Sequence, residues 1–167
     1  MQGIDYFRLL SLPRDYSVDM KLAEDNYRDM QRHVHPDKVD DSTAANIPEG
    51  FSSLLNKAIK VIKSPTERAM HLLYLLDGCT IGEADLTNDP ELLIEMMEIN
   101  EEVEDCGRDK DCLEKQNVAN KQRFEECDVQ LKNLFANRQF AHARAVCERM
   151  HYLERVNDTI LQKLNSV

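Results

Sequence analysis

His35-Pro36-Asp37-Lys38 sets an imidazole, a ring-locked backbone, a carboxylate and an ammonium in consecutive positions, with His33 just upstream. An imidazole beside a carboxylate is raw material for acid–base or metal chemistry. The remaining parts of such a site are missing. No cysteine, third histidine or glycine-rich phosphate cradle accompanies the pair, so neither catalysis nor a bound metal is expected. Pro36 prevents a helix from continuing and biases His35 towards extended geometry, which presents both polar side chains on a corner. Such a corner is either a helix stop with solvated side chains or a recognition point for another protein, and the tripeptide alone leaves both open.

A second cluster lies between residues 91 and 105, where Glu91, Glu95, Glu98, Glu101, Glu102, Glu104 and Asp105 occur with no Lys or Arg among them. At about 100° per residue, Leu92, Met96, Ile99 and Val103 share one narrow helical sector. Leu93, Ile94 and Met97 point away from it, on the side of Glu98, Glu101, Glu104 and Asp105. Apolar side chains ringed by one sign of charge suit a docking patch for a basic partner. Packing against neighbouring helices is the other use of such a face. The five cysteines (Cys79, Cys106, Cys112, Cys127, Cys147) include no Cys-x-x-Cys, which argues against a disulfide framework and a zinc module. Cys106 and Cys112 are near enough to meet across a turn, but buried or idle thiols in a reducing compartment are the expectation.

The elements that must position these groups all read as helices. Asp5 to Leu12 is short and apolar along Tyr6, Leu9 and Leu10, with Pro13 ending it. Ser17 offers a cap for a helix whose stripe Met20, Ala23, Tyr27, Met30, Val34 steps by 3, 4, 3 and 4. Lys38 to Pro48 reads as a polar loop. The next helix carries Phe51, Leu54, Leu55, Ala58, Ile59 and Ile62. Ser64-Pro65-Thr66-Glu67 opens another, burying Ala69, Leu72, Leu73 and Leu76 and ending at Gly78. After a polar linker, Asp89-Pro90-Glu91 is a strong helix start for a helix to about Asp105. Two long antiparallel helices broken near Ala136-Asn137 complete the chain, the last carrying Phe140, Ala143, Cys147, Met150, Leu153, Ile160 and Leu164. No strand alternation appears, so the fold class is all-α.

Composition agrees. With 167 residues, 42% hydrophobic and only five Gly and five Pro, the chain suits one ordinary or two small helical domains. Its net charge of −10 disfavours nucleic acid and anionic membrane surfaces as partners. No apolar run approaches the ~18 residues of a membrane span. The N-terminus enters an amphipathic segment at once, leaving no room for a signal or transit peptide; a soluble intracellular protein is expected.

The short helix, long helix, His-Pro-Asp loop and long helix, with Tyr6 near the start and Asn56-Lys57-Ala58 inside the later helix, resemble the J-domain of DnaJ-like co-chaperones. Asp5-Tyr6-Phe7, Leu12-Pro13, Gln31-Arg32, and Ser64-Pro65 with Arg68-Ala69 and Leu72-Leu73 resemble its HscB/Jac branch, the J-proteins of iron–sulfur cluster biogenesis. Leu93-Ile94-Glu95-Met96-Met97-Glu98-Ile99-Asn100-Glu101 resembles the head of that branch's second domain. The resemblance implies a J-domain hairpin over 1–77, a linker over 78–88 and a C-terminal three-helix scaffold-binding domain over 89–167.

It also implies a co-chaperone rather than an enzyme, one that stimulates ATP hydrolysis by a dedicated heat-shock-seventy chaperone and delivers to it the iron–sulfur cluster scaffold protein. His35, Pro36, Asp37 and Lys38, with Lys21, Arg28 and Arg32 on one side of the preceding helix, would meet the chaperone; Asp25 and Asp29 lie on or beside that stripe. Leu93, Ile94, Met97, Glu98, Glu101, Asp105 and Tyr152 would meet the scaffold. No cofactor is implied, and nothing matches the tetracysteine zinc module of some animal members. The wording Met96-Met97-Glu98-Ile99-Asn100-Glu101 looks more like mitochondrial members, which implies the mitochondrial matrix, with a bacterial cytoplasm as the alternative. The rivals are a helical tether without chaperone coupling, and a general J-protein, which commonly carries the Gly/Phe-rich linker and Cys-x-x-Cys repeats that this chain lacks.

Overall fold

The computed structural model describes residues 3–34, 50–78 and 89–166, and among them every regular element is an α-helix. The chain divides into two compact units, Met1–Leu76 and Asp77–Val167. The expected polar loop after Lys38 and linker residues 79–88 lie outside the described residues.

In the first unit, α1 (Tyr6–Leu9) is a single turn capped by Asp5, whose carboxylate accepts the Arg8 N–H at 3.1 Å and pairs with Arg14 at 2.6 Å. The chain turns at Ser11, which takes a left-handed φ of 54°. Phe7, Leu10, Leu12 and Tyr16 are buried there, whereas Tyr6 and Leu9 stay partly exposed. Of the expected apolar residues Leu10 is buried as read, while Phe7, Leu12 and Tyr16 join it beyond the helical period, because the helix stops before the period can apply to the residues that follow.

α2 (Met20–Val34) is capped by Asp19, which accepts the Leu22 N–H at 3.1 Å. The expected cap, Ser17, sits in a separate bend where its own N–H donates to Asp15 at 2.9 Å. The stripe holds: Ala23 is buried and Met20, Tyr27, Met30 and Val34 are partly covered. α3 (Phe51–Lys63) buries Leu55, Ala58 and Ile62. Tyr27 donates to the Asn56 side chain at 2.6 Å, Ser52 donates to Gln31 at 3.0 Å, and Lys63 pairs with Glu24 at 2.7 Å. As position rises along α2 it falls along α3, so the two form an antiparallel hairpin with a polar ladder along its side.

Ser64 caps α4 (Pro65–Asp77) through the Glu67 N–H at 3.2 Å, with Pro65 in the tolerated first position. Thr66, Arg68, Ala69, Leu72 and Leu73 are buried, but Leu76 is 38% exposed, contrary to expectation, because it falls in the last turn beyond the covering elements. Gly78 ends the helix with a φ of 68°. Buried Arg68 donates to the Ile62 carbonyl at 2.7 Å and lies 4.7 Å from the Tyr16 ring centre, a cation–π contact.

The second unit is a three-helix bundle of α5 (Pro90–Asp105), α6 (Lys110–Ala136) and α7 (Phe140–Asn165). Asp89 and Asp109 cap the first two, accepting the Glu91 and Cys112 N–H groups at 3.0 and 3.1 Å. The core joins Leu92, Met96, Ile99 and Val103 to Leu113, Leu131, Ala143, Met150, Leu153, Val156 and Ile160. It also holds Asn120, whose side-chain N–H donates to the Leu153 carbonyl at 2.9 Å. Burial pushes the Cys147 thiol up to about 12, so it stays protonated and inert. Cys106 and Cys112 form a disulfide across the α5–α6 turn, against the expectation of idle thiols. Asp109 as cap and Gly107 with a φ of 56° fold the intervening residues back, so the two α-carbons come within 5.5 Å.

His71 on α4 tests the first unit. Its Nε2 accepts the Tyr6 N–H at 3.1 Å and its ring stacks on Phe7 with centres 5.8 Å apart. Burial lowers its pKa, only partly opposed by Asp5, so folding favours the neutral ring. Its contribution is complete above the unfolded value of ~6.5 and is lost as pH falls through the lower folded value. Thermal unfolding at pH 7.5 and 5.5 will show a lower midpoint at pH 5.5, and His71→Gln, which can still accept the Tyr6 N–H, will reduce that difference.

Candidate functional site

α5 carries two apolar faces on one helix. Leu92, Met96, Ile99 and Val103 are 7%, 3%, 4% and 1% exposed and satisfy the bundle. Leu93, Ile94 and Met97 are 40%, 56% and 63% exposed, with no covering partner among the described residues of their own unit. Ile94, Met97, Glu98, Glu101 and Asp105 follow one another at helical spacing and form a continuous outer ridge. Methionine adapts its shape to a partner more readily than a branched side chain.

The acids divide into two groups. Glu95 accepts two hydrogen bonds from Arg149 of α7, one of them from Nε at 3.1 Å, and Arg149 also reaches the Cys127 sulfur of α6 at 3.6 Å. Glu104 pairs with Lys163 of α7 at 2.8 Å, and Glu102 with Arg123 of α6 at 3.9 Å. Glu91, Glu98, Glu101 and Asp105 form no ion pair among the described residues. A charge count inside α5 therefore overstates the uncompensated acid, since three of its carboxylates are met from other helices. The four left over lie on the outer side, where the apolar ridge also lies.

Tyr152 is half-buried on α7, three residues after Arg149 and so on the side of α7 that meets α5. Nothing in the sequence marks Arg149 as special. It joins all three helices through Glu95 of α5 and Cys127 of α6, but its sequence neighbourhood shows only one more charged residue on a long helix.

The expected chaperone-facing residues belong to the first unit. Lys21, Arg28 and Arg32 are all exposed on α2. Arg28 pairs with Glu24 at 3.3 Å and Asp25 at 3.5 Å, and Arg32 with Asp29 at 3.0 Å. Exposed pairs of this kind contribute little to stability and exchange readily for an incoming carboxylate. His35, Pro36, Asp37 and Lys38 lie outside the described residues. Among the described residues no three His, Cys, Asp or Glu side chains converge as metal ligands. None of the described helices is long and apolar enough to cross a membrane.

The Glu95–Arg149 bond ties the ridge to the bundle. Arg149→Met and Glu95→Met will each destabilise the protein by about 1 kcal/mol, the value of a charged hydrogen bond discounted for partial exposure. In a double-mutant cycle by urea unfolding, the double variant will cost less than the sum of the two.

Residues 88–161 match the family model of the HSCB C-terminal oligomerisation domain. Over 162 residues the chain is 30% identical to the human iron–sulfur cluster co-chaperone protein HscB, covering 95% of this chain and 68% of the human protein. The Arabidopsis thaliana homologue is 27% identical over 164 residues, a match spanning 97% of this chain but only 64% of that relative. The crystal structure of human HscB superposes with a TM-score of 0.87 at 27% identity, covering all of this chain and 85% of the human one. The Jac1 co-chaperone of Saccharomyces cerevisiae has the same fold, with a TM-score of 0.81 at 21% identity over 97% of this chain and 95% of the yeast chain.

Proposed function

The chain belongs to the HscB family of iron–sulfur cluster co-chaperones, and on that premise we propose that it is a two-handed adaptor. One hand, residues 1–77, is a J-domain that engages a heat-shock-seventy chaperone and stimulates its ATPase. The other, residues 89–167, holds the iron–sulfur scaffold protein, and residues 78–88 link them. The protein is then no enzyme itself, and its effect on ATP hydrolysis is a population shift in its partner.

The observation that carries this reading is the exposed ridge of α5. A helix that has already satisfied its bundle with Leu92, Met96, Ile99 and Val103 has no structural use for Leu93, Ile94 and Met97 in water. Glu98, Glu101 and Asp105, unpaired beside them, add charge selection for a basic-rimmed partner, and Tyr152 supplies an aromatic edge from α7. Asp105 has a shorter reach than a glutamate, so its contact is the weakest of the three. On the first unit, Lys21, Arg28 and Arg32 steer the chaperone towards His35, Pro36, Asp37 and Lys38, with Asp37 forming a charge-assisted pair to a chaperone arginine. Holding both partners at once raises their effective concentration without any new contact. The mitochondrial matrix is the compartment this reading favours, and a bacterial cytoplasm is the alternative.

Two measurements separate the hands. Leu93→Ala/Met97→Ala will weaken scaffold binding by about tenfold or more, as loss of central apolar anchors does, with helical circular dichroism unchanged; unaltered affinity would move the site elsewhere. In single-turnover ATPase assays with the cognate chaperone, His35→Gln will abolish the stimulation given by the natural protein while leaving scaffold affinity intact. Equal stimulation by both proteins would remove the J-domain assignment.

A further inference from the structure

The disulfide between Cys106 and Cys112 ties the C-terminal cap of α5 to the first turn of α6. We propose that this bond is a thiol–disulfide exchange site for a dithiol reductant, and that its state governs how firmly the acidic end of the docking ridge is held. The proposal rests on the reading of α5 as the scaffold-docking helix.

The last turn of α5 is weak by its own chemistry. Glu102, Glu104 and Asp105 stand at the negative end of the helix dipole, and the turn contains no basic residue. Glu101 repels Glu98 three residues before it and Asp105 four residues after it. The end is kept in place from outside: Val103 and Cys106 are 1% and 6% exposed, Lys163 reaches Glu104 at 2.8 Å, and the Asp109 N–H donates to the Cys106 carbonyl at 2.8 Å. The disulfide is the covalent member of that set. Breaking it leaves the buried side chains and the turn hydrogen bonds, so the corner loosens without unfolding, and Glu101 and Asp105 lose their fixed spacing.

Access favours exchange at this pair. Cys112 is partly exposed, whereas the free thiols Cys127 and Cys147 among the described residues are buried. A thiolate of the dithiol attacks the Cys112 sulfur, forming a mixed disulfide and expelling the Cys106 thiolate, which takes up a proton. The reductant's second thiol, as thiolate, then closes on its first sulfur and expels Cys112, which is protonated in turn. Two electrons and two protons pass to the cysteine pair, and the dithiol becomes a disulfide.

The test uses the full chain prepared without reductant, the same protein after dithiothreitol, and Cys106→Ser/Cys112→Ser. Amide exchange across residues 101–106 and titration with the iron–sulfur scaffold protein are read in each. Reduction is expected to speed exchange in that segment and to weaken scaffold binding roughly threefold to fivefold, the size of one or two rim charge contacts. The serine variant should match the reduced protein with or without dithiothreitol. Asp105→Asn should weaken binding in the oxidised protein more than in the reduced one. Identical exchange in both forms, a serine variant that matches the oxidised protein, or untreated protein in which Cys106 and Cys112 are both free thiols that oxidised glutathione fails to join would overturn the proposal. Failure of oxidised protein to bind the scaffold, with exchange still responding to reduction, would remove the docking assignment and leave the redox site standing.

Discussion

A helix that carries seven acids and no base of its own must be held together by its neighbours, and α5 shows how. Intrahelical ion pairs are unavailable to it, and several of its carboxylates repel one another at i+3 and i+4. The favourable terms come from the buried stripe Leu92, Met96, Ile99 and Val103, and from Arg149, Lys163 and Arg123 reaching over from α7 and α6. Because these partners take only the acids that flank the bundle, the outward ones form no ion pair among the described residues. The same packing that stabilises the helix therefore selects which of its apolar and acidic side chains stay outward.

The first unit solves a different positioning problem with similar means. Its hairpin has modest apolar cover along α2, where Ala23 alone is fully buried. A ladder of neutral hydrogen bonds, Tyr27 and Gln31 against Asn56 and Ser52, supplies alignment at positions too exposed for packing to decide. α4 then closes the far side, with His71 and Arg68 giving buried polar contacts to α1 and to the residues after it. Alignment by directional bonds leaves the outer face of α2 free to carry Lys21, Arg28 and Arg32, whose pairs with Glu24, Asp25 and Asp29 are local and readily exchanged.

What could be read from sequence follows the range of each interaction. Asp89 with Pro90, Ser64 with Pro65, and Gly78 mark helix ends through atoms within a few residues, and the helices begin and end there. The division of α5 into buried and exposed apolar sectors was also legible, because one period governs the whole helix. Ser17 failed as a cap because Asp19, equally suited, lay closer to the first helical turn. Leu76 failed because periodicity specifies a face but not how far the cover extends. The six-residue spacing of Cys106 and Cys112 allows their pairing but does not require it, and the reach of Arg149 to Glu95 depends on packing of the bundle, which no local pattern announces.

Arg149 joins these themes. A guanidinium fixed by two bonds to Glu95 and a contact to Cys127 cannot rotate freely, so it sets the register of α7 against α5. A lysine there would supply charge without the planar fork and would leave that register looser. Under the proposed docking role, the outward face of α5 is thus held in place by a side chain of another helix that a partner need not touch. Affinity at such a site responds to substitutions beneath the surface as well as on it, because pre-organisation reduces the ordering that binding would otherwise require.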